Sequence, residues 1–322
     1  MDLTQVPEPT LDDVQATARR IEPHVHRTPV LTSSYLDQAS GARLFFKCEN
    51  LQKVGAFKMR GATNFVLQLS SAQADRGVVT HSSGNHGQAV AAAAAVRGVA
   101  ATVVMPRSSA AVKRAAVAGY GARVVPCADG DRARAAAAQR VVEQEGATLI
   151  HPYGHPHVVA GQGTMALELL EQVPDLDAVV APIGGGGCLS GIAVAVRGLR
   201  PQTAVFGAEP ERADDAARSL AEGRILPSVQ PDTVADGLRT SLAPLTFALL
   251  RAHGVQILTV SEEQIVAAMR SIWMRMKLVV EPSAAVSLAA VLAYAAQFRG
   301  RRVGVVLTGG NVDLERLPWN AA

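Results

Sequence analysis

The sequence predicts an α/β protein built on parallel sheets, and three observations support this class. Short β-branched runs such as GVVTH, ATVVMP, DAVVAPI and RVGVVLT alternate along the chain with longer alanine-rich segments. This alternation is typical of parallel strands joined by crossover helices. The runs are continuously apolar, as expected of strands covered on both faces. At 322 residues, the chain can form one large domain or two medium ones.

Composition and charge exclude several functional classes. The net charge of +3 comes from 31 basic and 28 acidic residues that are scattered, and no aromatic-rich basic stretch predicts nucleic-acid binding. The longest apolar run, residues 89–96, is too short to span a bilayer, and the acidic N-terminus is unlike a secretion signal. The three cysteines are too far apart for a zinc knuckle or a disulfide framework. We therefore expect a cytoplasmic protein without a membrane span.

The first candidate site is the lysine in VGAFKMRGATNF. Lys58 lies between two apolar residues at the predicted start of a helix. Burial beside a helix N-terminus lowers the pKa of a lysine, and a neutral amine can form a Schiff base. An exposed lysine on a helix surface is the alternative for this residue taken alone.

The second candidate is SSGNHGQAVAAAAA, where a strand is predicted to end at His81 and a helix to begin near Gln88. Serine, asparagine and glycine are favoured as helix caps, which is one explanation of their presence. The other is that free backbone N–H groups at the helix start bind an anionic ligand. Composition does not separate the two.

Two glycine-rich junctions follow later in the chain. In VVAPIGGGGCLSGIA, a strand is predicted to end at Ile183 and a helix to begin near Cys188. The glycines 184–187 can close around a phosphate because they lack Cβ atoms. In VVLTGGNVD, a buried strand ends at Thr308, whose hydroxyl lies at the end of the sheet where α/β proteins bind ligands. A nucleotide-binding loop and an ordinary turn are the respective alternatives.

Two other segments are predicted from local signals. SEEQIVAAMRSIWMRMK opens with a capping box and predicts a helix that ends near Lys277. HPYGHPHVVAGQG is rich in proline and glycine and is predicted to carry the chain between two sheets, before a helix that starts near Thr164. Its histidines, His151, His155 and His157, are interpreted as loop and surface residues rather than zinc ligands.

These features together are what pyridoxal 5′-phosphate needs. The motifs FKMRGA, SSGNHGQA, GGGG, AEPERADD, MKLVVEPSAA and GGNVDL extend from about residue 25 to residue 314. They resemble the fold type II pyridoxal-phosphate enzymes, most closely the threonine/serine dehydratase and serine racemase family. The resemblance implies a tryptophan-synthase-β-like fold with two open twisted, mostly parallel sheets flanked by helices. It also implies a large cofactor-binding domain, residues 1–76 with 154–322, a small mobile domain, residues 77–153, and a homodimer.

The resemblance further implies where the cofactor binds. Lys58 holds it covalently and acts as the base on one face, and Phe57 packs near its ring. Asn85 bonds its 3′-oxygen, and Thr308 bonds its pyridine nitrogen. A hydroxyl at that nitrogen leaves the ring unprotonated, which favours elimination of a β-hydroxyl over a long-lived carbanion. The phosphate is held by Gly184, Gly185, Gly186, Gly187 and the N–H of Cys188.

The resemblance places the carboxylate of an amino-acid substrate on Ser82, Asn85 and His86. Ser83 is either the acid/base of a racemase, on the face opposite the lysine, or a helix cap. Arg134 either reaches the substrate or lies solvated on a helix face. Both alternatives remain open from the residues.

A divalent-cation site is implied at GAEPERADD. Glu209, the carbonyl of Ala213 and Asp215 supply hard oxygen ligands that suit Mg²⁺ or Ca²⁺. Without the resemblance, acidic residues that favour a helix N-terminus would be the simpler interpretation.

The activity expected is the dehydration and deamination of L-threonine or L-serine to 2-oxobutyrate or pyruvate and ammonia. Serine racemisation, through Ser83, and hydroxyaspartate dehydration, through Arg134, are the alternatives among enzymes. A non-catalytic carrier of a cofactor or nucleotide would not need Lys58 and the Ser/Asn loop together. Nucleotide activation stays open, and the positions that match it are Gln88, Lys113, Tyr120 and Asn311.

Overall fold

The computed structural model describes residues 7–82, 84–109 and 111–320. The strands in these residues are β1 Val30–Leu31, β2 Arg43–Cys48, β3 Val78–His81, β4 Ala101–Pro106, β5 Arg123–Cys127, β6 Thr148–Leu149, β7 Ala178–Pro182, β8 Ala204–Pro210, β9 Gln256–Val260 and β10 Arg302–Leu307. The helices are α1 Leu11–Ile21, α2 Ser34–Ser40, α3 Lys58–Leu67, α4 Ser71–Arg76, α5 Asn85–Arg97, α6 Ala111–Gly119, α7 Asp131–Glu145, α8 Pro156–Gln172, α9 Gly187–Leu199, α10 Asp215–Glu222, α11 Pro244–Ala252, α12 Glu262–Met276, α13 Pro282–Ala293 and α14 Ala295–Phe298. None of these helices is both long and apolar enough to cross a membrane.

The strands form two sheets. The large sheet has the order β1-β2-β10-β7-β8-β9, and the small sheet has the order β5-β4-β3-β6. All neighbouring strands are parallel except β1 and β2. Strand β10 lies between β2 and β7, with Val305 opposite Phe46 on one side and Val180 on the other. The predicted fold class, two mostly parallel sheets flanked by helices, is confirmed.

Apolar side chains cover both faces of the large sheet. Val305 belongs to one buried cluster with Val286 of α13, on the face that also carries α12. Its neighbour Val306 belongs to a second cluster with Ile192 of α9, on the face that carries α8 and α9. Successive side chains of a strand point to opposite faces, so a strand covered on both sides must be apolar throughout. This explains the continuous apolar runs in the sequence.

The small sheet is covered in the same way. Val79 packs with Ala138 of α7, while Val103 packs with Ala91 of α5. Its four strands all lie within residues 78–149. The division into a mobile domain, residues 77–153, and a large domain, residues 1–76 with 154–322, stays a prediction.

Two helices begin earlier than predicted. Helix α5 begins at Asn85 rather than near Gln88, because the polar residues of the motif form its first turn. Helix α8 begins at Pro156 rather than near Thr164. Proline suits the first helical position, and the Nδ1 atom of His155 caps the helix by accepting the N–H of His157 at 3.1 Å. The predicted ends of β3 at His81 and of α12 near Lys277 are confirmed.

A buried cluster of four charges joins β2, α3 and α8. Arg60 is fully buried and donates to both oxygens of Glu49 at 2.8 Å and to those of Glu168 at 2.6 and 2.9 Å. Lys47, also fully buried, donates to Glu168 at 2.6 Å. Two cations and two anions therefore compensate one another, and only Glu168 keeps a small part of its side chain, 14%, exposed. Removing one of them would leave an uncompensated buried charge.

We expect Arg60→Met to lower the free energy of unfolding by about 3–5 kcal/mol, because the variant leaves the buried carboxylate of Glu49 and the largely buried one of Glu168 with one cation. Urea denaturation measures the change. Arg27→Met is the matched control, since Arg27 pairs with Glu171 at 2.9 Å on the surface and an exposed pair contributes only about 0–1 kcal/mol. Similar losses in the two variants would contradict a special role of the buried cluster.

Candidate active site

A cavity of about 760 Å³ lies at the carboxyl ends of the strands. Ser82 follows β3, Gly184 comes just after β7, and Thr308 follows β10, and all three line the cavity. Lys58 lines it as well. Because open α/β sheets bind ligands at this edge, the position is that of a ligand site. The four junctions singled out in the sequence meet in this one cavity.

Lys58 is the first residue of α3, and its side chain faces the cavity. Its Nζ donates to the carbonyl oxygen of Pro152 at 2.8 Å and lies 5.0 Å from the centroid of the Phe57 ring. Burial of the amine lowers its pKa to about 8, although Cys188 and Glu281 oppose the shift. A lysine with this pKa has a substantial neutral fraction near neutral pH, so it can act as nucleophile and base.

The backbone on either side of Lys58 is tied to the end of β10. The N–H of Phe57 donates to the carbonyl oxygen of Thr308 at 3.0 Å, and Ala56 forms an isolated antiparallel bridge with Gly309. Thr308 is buried, with 4% of its surface exposed, and its hydroxyl is the polar group that the end of β10 offers to the cavity.

The glycines 184–187 form the turn between β7 and α9, which begins at Gly187. Gly186 has a φ of +86°, which side chains rarely tolerate, and a Cβ atom there would lie 2.8 Å from Cβ of Thr246. The first N–H groups of α9 have no intrahelical partners, which suits a phosphate. Burial raises the pKa of Cys188 to about 12. The thiol is therefore neutral, and Cys188 contributes to anion binding through its N–H.

The Ser/Asn loop, residues 82–85 of the SSGNHGQA motif, ends in the first turn of α5. The N–H of Ser82 donates to Val104 at 3.1 Å, and its Oγ accepts the N–H of Gly84 at 3.2 Å. Ser83 lies outside the described residues. The first N–H groups of α5, starting at Asn85, have no intrahelical partners. The helix start therefore has the geometry of an anion site.

The ring of His86 is not available to an anion. Its Nε2 lies 3.2 Å from the carbonyl oxygen of Ile150, which can only accept, so Nε2 carries the proton. The Nδ1 atom then holds a lone pair, and it has no hydrogen-bond partner among the described residues. Burial lowers the pKa of His86 well below its usual value, so the ring is neutral. What His86 offers an anion is its backbone N–H.

Asn85 is oriented by two residues from the C-terminal part of the chain. Its Nδ2 donates to both carboxylate oxygens of Glu281 at 2.9 and 3.0 Å, and its Oδ1 accepts from Asn311 at 2.9 Å. Burial raises the pKa of Glu281 to about 7. The sequence analysis quoted the motif that contains Glu281 and gave it no role. A contact across 196 residues has no local signal that could have revealed it.

Arg134, on α7, lines the cavity together with His81 and His151. Backbone N–H groups of Tyr153 and Gly154 donate to Nδ1 of His151 at 3.3 and 2.8 Å, which leaves its Nε2 protonated. Burial lowers the pKa of His151 to about 4 and also lowers that of His81. This wall of the cavity therefore combines neutral rings with the permanent charge of a guanidinium.

The interpretation of the histidine-rich segment as loop and surface residues was wrong in part, because His157 lies in the first turn of α8 and the other two histidines face the interior or the cavity. His155 is buried, with 6% of its surface exposed, and its ring packs against Phe65 at 4.6 Å between centroids. His151 faces the cavity. The segment is held against α3 and the site, because it connects the small sheet to α8.

The predicted cation ligands lie at or just after the end of β8 and do not line this cavity, although the charge of Asp215 acts on the cavity residue Tyr153. The carboxylate of Glu209 accepts the N–H groups of Ala216 and Ala217 at 3.0 and 2.9 Å. The buried carboxylate of Asp215 makes no well-formed hydrogen bond among the described residues, although the Ser228 hydroxyl and the backbone N–H of Asp215 lie close enough to act on its pKa. Burial raises the pKa of Glu209 to about 8 and that of Asp215 to about 6, and the charge of Asp215 adds to the shift of Glu209. The buried carboxylates of Asp215 and Glu209 therefore suit a bound cation.

The described part of the chain holds no cluster of three or more His, Cys, Asp or Glu side chains that could bind a metal. The candidate set of Glu209, Asp215 and the Ala213 carbonyl contains only two such side chains. The cation therefore stays a prediction.

Comparison with protein families matches residues 21–309 to the family described as pyridoxal-phosphate dependent enzyme. The chain belongs to this family. The predicted cofactor is thereby confirmed, and so is the predicted group, the fold type II enzymes that include serine racemases and threonine dehydratases.

Relatives that share this fold are named for different reactions. A beta-hydroxyaspartate dehydratase of Paracoccus denitrificans (strain Pd 1222) is 50% identical over 312 residues, which are 97% of this chain and 99% of the relative. The crystal structure of serine racemase from Dictyostelium discoideum is 46% identical, with a TM-score of 0.91, and the match covers 95% of this chain and 99% of that one. The crystal structure of a threonine deaminase from T.th. is 48% identical, with the same TM-score and coverage. These relatives share one fold and differ in the reaction that their names give.

The structure brings the predicted cofactor and substrate residues together in the cavity. Those that line it are Phe57, Lys58, Ser82, Asn85, His86, Arg134, Gly184, Gly185, Gly186, Gly187, Cys188 and Thr308. A lysine amine of lowered pKa, a glycine turn at a helix start and a buried hydroxyl in one cavity fit pyridoxal phosphate. Among the residues that the sequence analysis left without a role, Glu281 and Tyr153 also line the cavity.

We expect Lys58 of the cofactor-free protein to be acetylated near neutral pH. Because only the neutral amine reacts, its acetylation rate should rise with a midpoint near pH 8, against 10.5 for a solvated lysine side chain. Mass spectrometry of the Lys58 peptide after timed acetic anhydride pulses measures the midpoint, with Nα-acetyl-lysine as the reference in the same tube. A midpoint equal to that of the reference would contradict the desolvated amine.

Proposed function

We propose that the chain dehydrates and deaminates a small β-hydroxy-α-amino acid to a 2-oxo acid and ammonia, with 3-hydroxyaspartate as the preferred substrate. The observation that carries this proposal is that Arg134 shares one cavity with Lys58 and with the helix start at Asn85. A dicarboxylate needs two anion-binding positions, and this cavity offers both. The relative named beta-hydroxyaspartate dehydratase supports the same choice.

Different residues of the cavity would bind different parts of the cofactor. Pyridoxal phosphate, when bound, supplies an electron-withdrawing ring that acidifies the α-carbon of an amino acid. The turn 184–187 and the N–H of Cys188 would hold its phosphate, and Lys58 would hold its aldehyde carbon. Thr308 would bond its ring nitrogen. Asn85, oriented by Glu281, would face its 3′-oxygen.

Lys58 is the residue that moves the proton. With a pKa of about 8, its amine passes readily between the neutral and protonated forms. Neutral Nζ takes the proton from Cα of the substrate, and the ammonium form returns a proton to the leaving β-hydroxyl, which departs as water. The unsaturated amine that results hydrolyses to a 2-oxo acid and ammonia.

Two positions in the cavity would hold the two carboxylates. The α-carboxylate would bind the first N–H groups of α5, where free donors and the helix dipole favour an anion. The β-carboxylate would bind Arg134, because a guanidinium presents paired donors in the geometry of a carboxylate. L-Threonine and L-serine, the substrates favoured by the sequence, have no second carboxylate and would make no such contact with Arg134.

Racemisation is the second candidate, and the relative named serine racemase supports it. Inversion at Cα requires a proton donor on the face opposite Lys58. Ser83 is the residue assigned to that face by the resemblance. Deuterium from the solvent would then enter Cα of the inverted amino acid.

We further propose that Glu209, Ala213 and Asp215 bind Mg²⁺ or Ca²⁺. Two carboxylates and a carbonyl oxygen are the hard ligands that both cations prefer. The carboxylate of Asp215, which is buried and makes no well-formed hydrogen bond, supports this assignment. Because the set lies outside the cavity, the cation would support the structure around α10 rather than contact the substrate.

A homodimer is proposed from exposed apolar side chains on the large-sheet side. Tyr35, Leu51, Met274 and Val279 are each between 45% and 57% exposed. Asn50 donates to the carbonyl of Val279 at 3.1 Å, which brings the segments of Leu51 and Val279 together. The guanidinium of Arg275, the neighbour of Met274, lies 4.0 Å from the centroid of the Tyr35 ring, so the four side chains form two pairs. Exposed apolar side chains that cluster in this way support a contact surface. The cytoplasmic location stays a prediction.

We expect Arg134→Gln to lower kcat/KM for threo-3-hydroxyaspartate by about 10- to 100-fold, since it removes a charged hydrogen-bonded pair. Its kcat/KM for L-serine should change by less than about threefold, because serine has no β-carboxylate. Ammonia and 2-oxo acid release measure both, and Arg140→Gln, at an exposed position on the same helix, is the control.

Two outcomes of that assay, and one outcome of a second experiment in D₂O, would contradict the proposal. Equal losses for the two substrates would remove Arg134 from substrate recognition. A preference for L-threonine or L-serine in the unmodified enzyme would favour the dehydratase predicted from the sequence. Deuterated D-serine that accumulates in D₂O, and that Ser83→Ala abolishes, would favour a racemase.

We expect chelation by EDTA to lower the melting temperature and added Mg²⁺ or Ca²⁺ to restore it. Without a cation, a carboxylate whose pKa is raised on folding makes the folded protein less stable as the pH rises. For Glu209, the pKa rises from the usual 4.5 to about 8, so this loss of stability falls between those two pH values. The effect of EDTA should therefore grow over that range. Asp215→Asn should abolish the response, while Asp214→Asn, which breaks a surface pair with Arg218, should retain it. A response unchanged by Asp215→Asn would contradict the site.

We expect light scattering after size exclusion to give about twice the chain mass of 33.6 kDa. Met274→Lys should shift the protein towards the monomer, because it places a charge on the proposed contact. Leu314→Lys, at a residue 63% exposed and outside the set, is the control. A monomer in the unmodified protein would refute this proposal.

A further inference from the structure

We propose that Tyr153 is a positioning residue that holds the phosphate-binding turn, residues 184–187, in its binding conformation. The inference rests on the proposed function, because it takes the phosphate of pyridoxal phosphate as the ligand of that turn. Tyr153 lies in the segment between β6 and α8 and lines the cavity. The sequence assigned this segment only the crossing between two sheets.

The ring of Tyr153 packs directly on the turn. A Cβ atom on Gly185 would lie 2.4 Å from Cζ of the ring and 2.5 Å from Cδ1 and Cδ2. A Cβ atom on Gly187 would lie 2.7 Å from Cβ of Tyr153. No real side chain fits at such distances, so the ring face lies against the backbone of the turn. Two of the four glycines are therefore required by this one tyrosine.

The other side of the turn is held by residues 238–246. A Cβ atom on Gly184 would lie 3.0 Å from Cα of Leu238. The hydroxyl of Thr246 donates to the carbonyl oxygen of Gly185 at 2.9 Å. The turn is thus enclosed between the tyrosine ring and a second segment. Neither contact uses the N–H groups that would bind a phosphate.

Tyr153 is itself well fixed. Its ring meets that of His151 edge-on, with 4.7 Å between centroids and 88° between planes. Burial and the charge of Asp215 raise the pKa of the phenol, and a hydrogen bond with Thr240 acts against this shift. The preceding residue, Pro152, accepts the hydrogen bond from Lys58. The ring is therefore held between the lysine that binds the cofactor and the turn that binds its phosphate.

A rigid side chain is needed here because ordering a run of glycines loses conformational entropy. Glycine loses more conformational freedom on ordering than any other residue, and four in succession have no side chains to fix their own conformation. If the phosphate had to order the turn, its binding would be weakened by that loss. A rigid ring packed on the turn orders it before the ligand arrives. The contact is made by the ring face, so the hydroxyl is not required.

The test compares two ligands of the cofactor-free protein, pyridoxal 5′-phosphate and pyridoxal, which lacks the phosphate. In Tyr153→Leu, we expect the Kd for pyridoxal 5′-phosphate to rise at least about tenfold and the Kd for pyridoxal to change less than about threefold, since Lys58 is untouched. Tyr153→Phe should keep both within about threefold. Spectrophotometric titration, checked by equilibrium dialysis, measures both constants. Hydrogen exchange in the peptide 183–189 should be faster in Tyr153→Leu.

Tyr294→Ala, a tyrosine outside the cavity and 37% exposed, is the matched control. A Tyr153→Leu protein that weakens both ligands equally, or neither, would overturn the positioning role, as would an equally large effect of Tyr153→Phe. If Tyr153→Leu does not fold, Tyr153→Met takes its place in the same comparison. An unmodified protein that fails to bind pyridoxal 5′-phosphate would instead overturn the proposed function.

Discussion

The hydrogen bond from the N–H of Phe57 to the carbonyl of Thr308, at 3.0 Å, joins the start of α3 to the end of β10. The bridge between Ala56 and Gly309 extends this contact. Together they place Lys58 at the carboxyl edge of the large sheet, where the neighbouring strand β7 opens into the glycine turn. The distance between the amine and the turn is thus set by the spacing of adjacent strands. The other residues of the cavity are arranged about this pair.

Burial in the cavity shifts the pKa of several titratable groups in the direction that removes their charge. It lowers the pKa of Lys58 to about 8 and that of His151 to about 4, and it raises that of Cys188 to about 12. The buried His86 ring is neutral for the same reason. Arg134 keeps its charge, because guanidinium resists deprotonation. An anionic ligand therefore meets backbone donors, neutral rings and the permanent charge of Arg134 on this wall.

The sequence predicted those parts of the site that depend on local pattern. Apolar runs and glycines mark the strand–helix junctions that contain Lys58, the glycines 184–187 and Thr308. All of these residues line the cavity. The contacts of Glu281 with Asn85 and of Tyr153 with Gly185 were not predicted, because they join residues far apart in the chain. The early start of α8 depends on a histidine cap at His155 that no common capping pattern describes. Sequence similarity alone does not separate the substrates, because relatives that are 50% and 46% identical to this chain are named for different reactions.

The central position of β10 has a consequence for how the chain folds as it is synthesised. Residues 302–307 are made after residues 43–48 and 178–180, yet they pair with the first of these segments on one side and with the second on the other. Until they emerge from the ribosome, the two halves of the large sheet have no strand between them, and their apolar faces have no complete core. The strands of the small sheet lie within residues 78–149 and can pair much earlier. A chain truncated before residue 302 would therefore expose two unpaired sheet edges, which are sites for chaperone binding and aggregation.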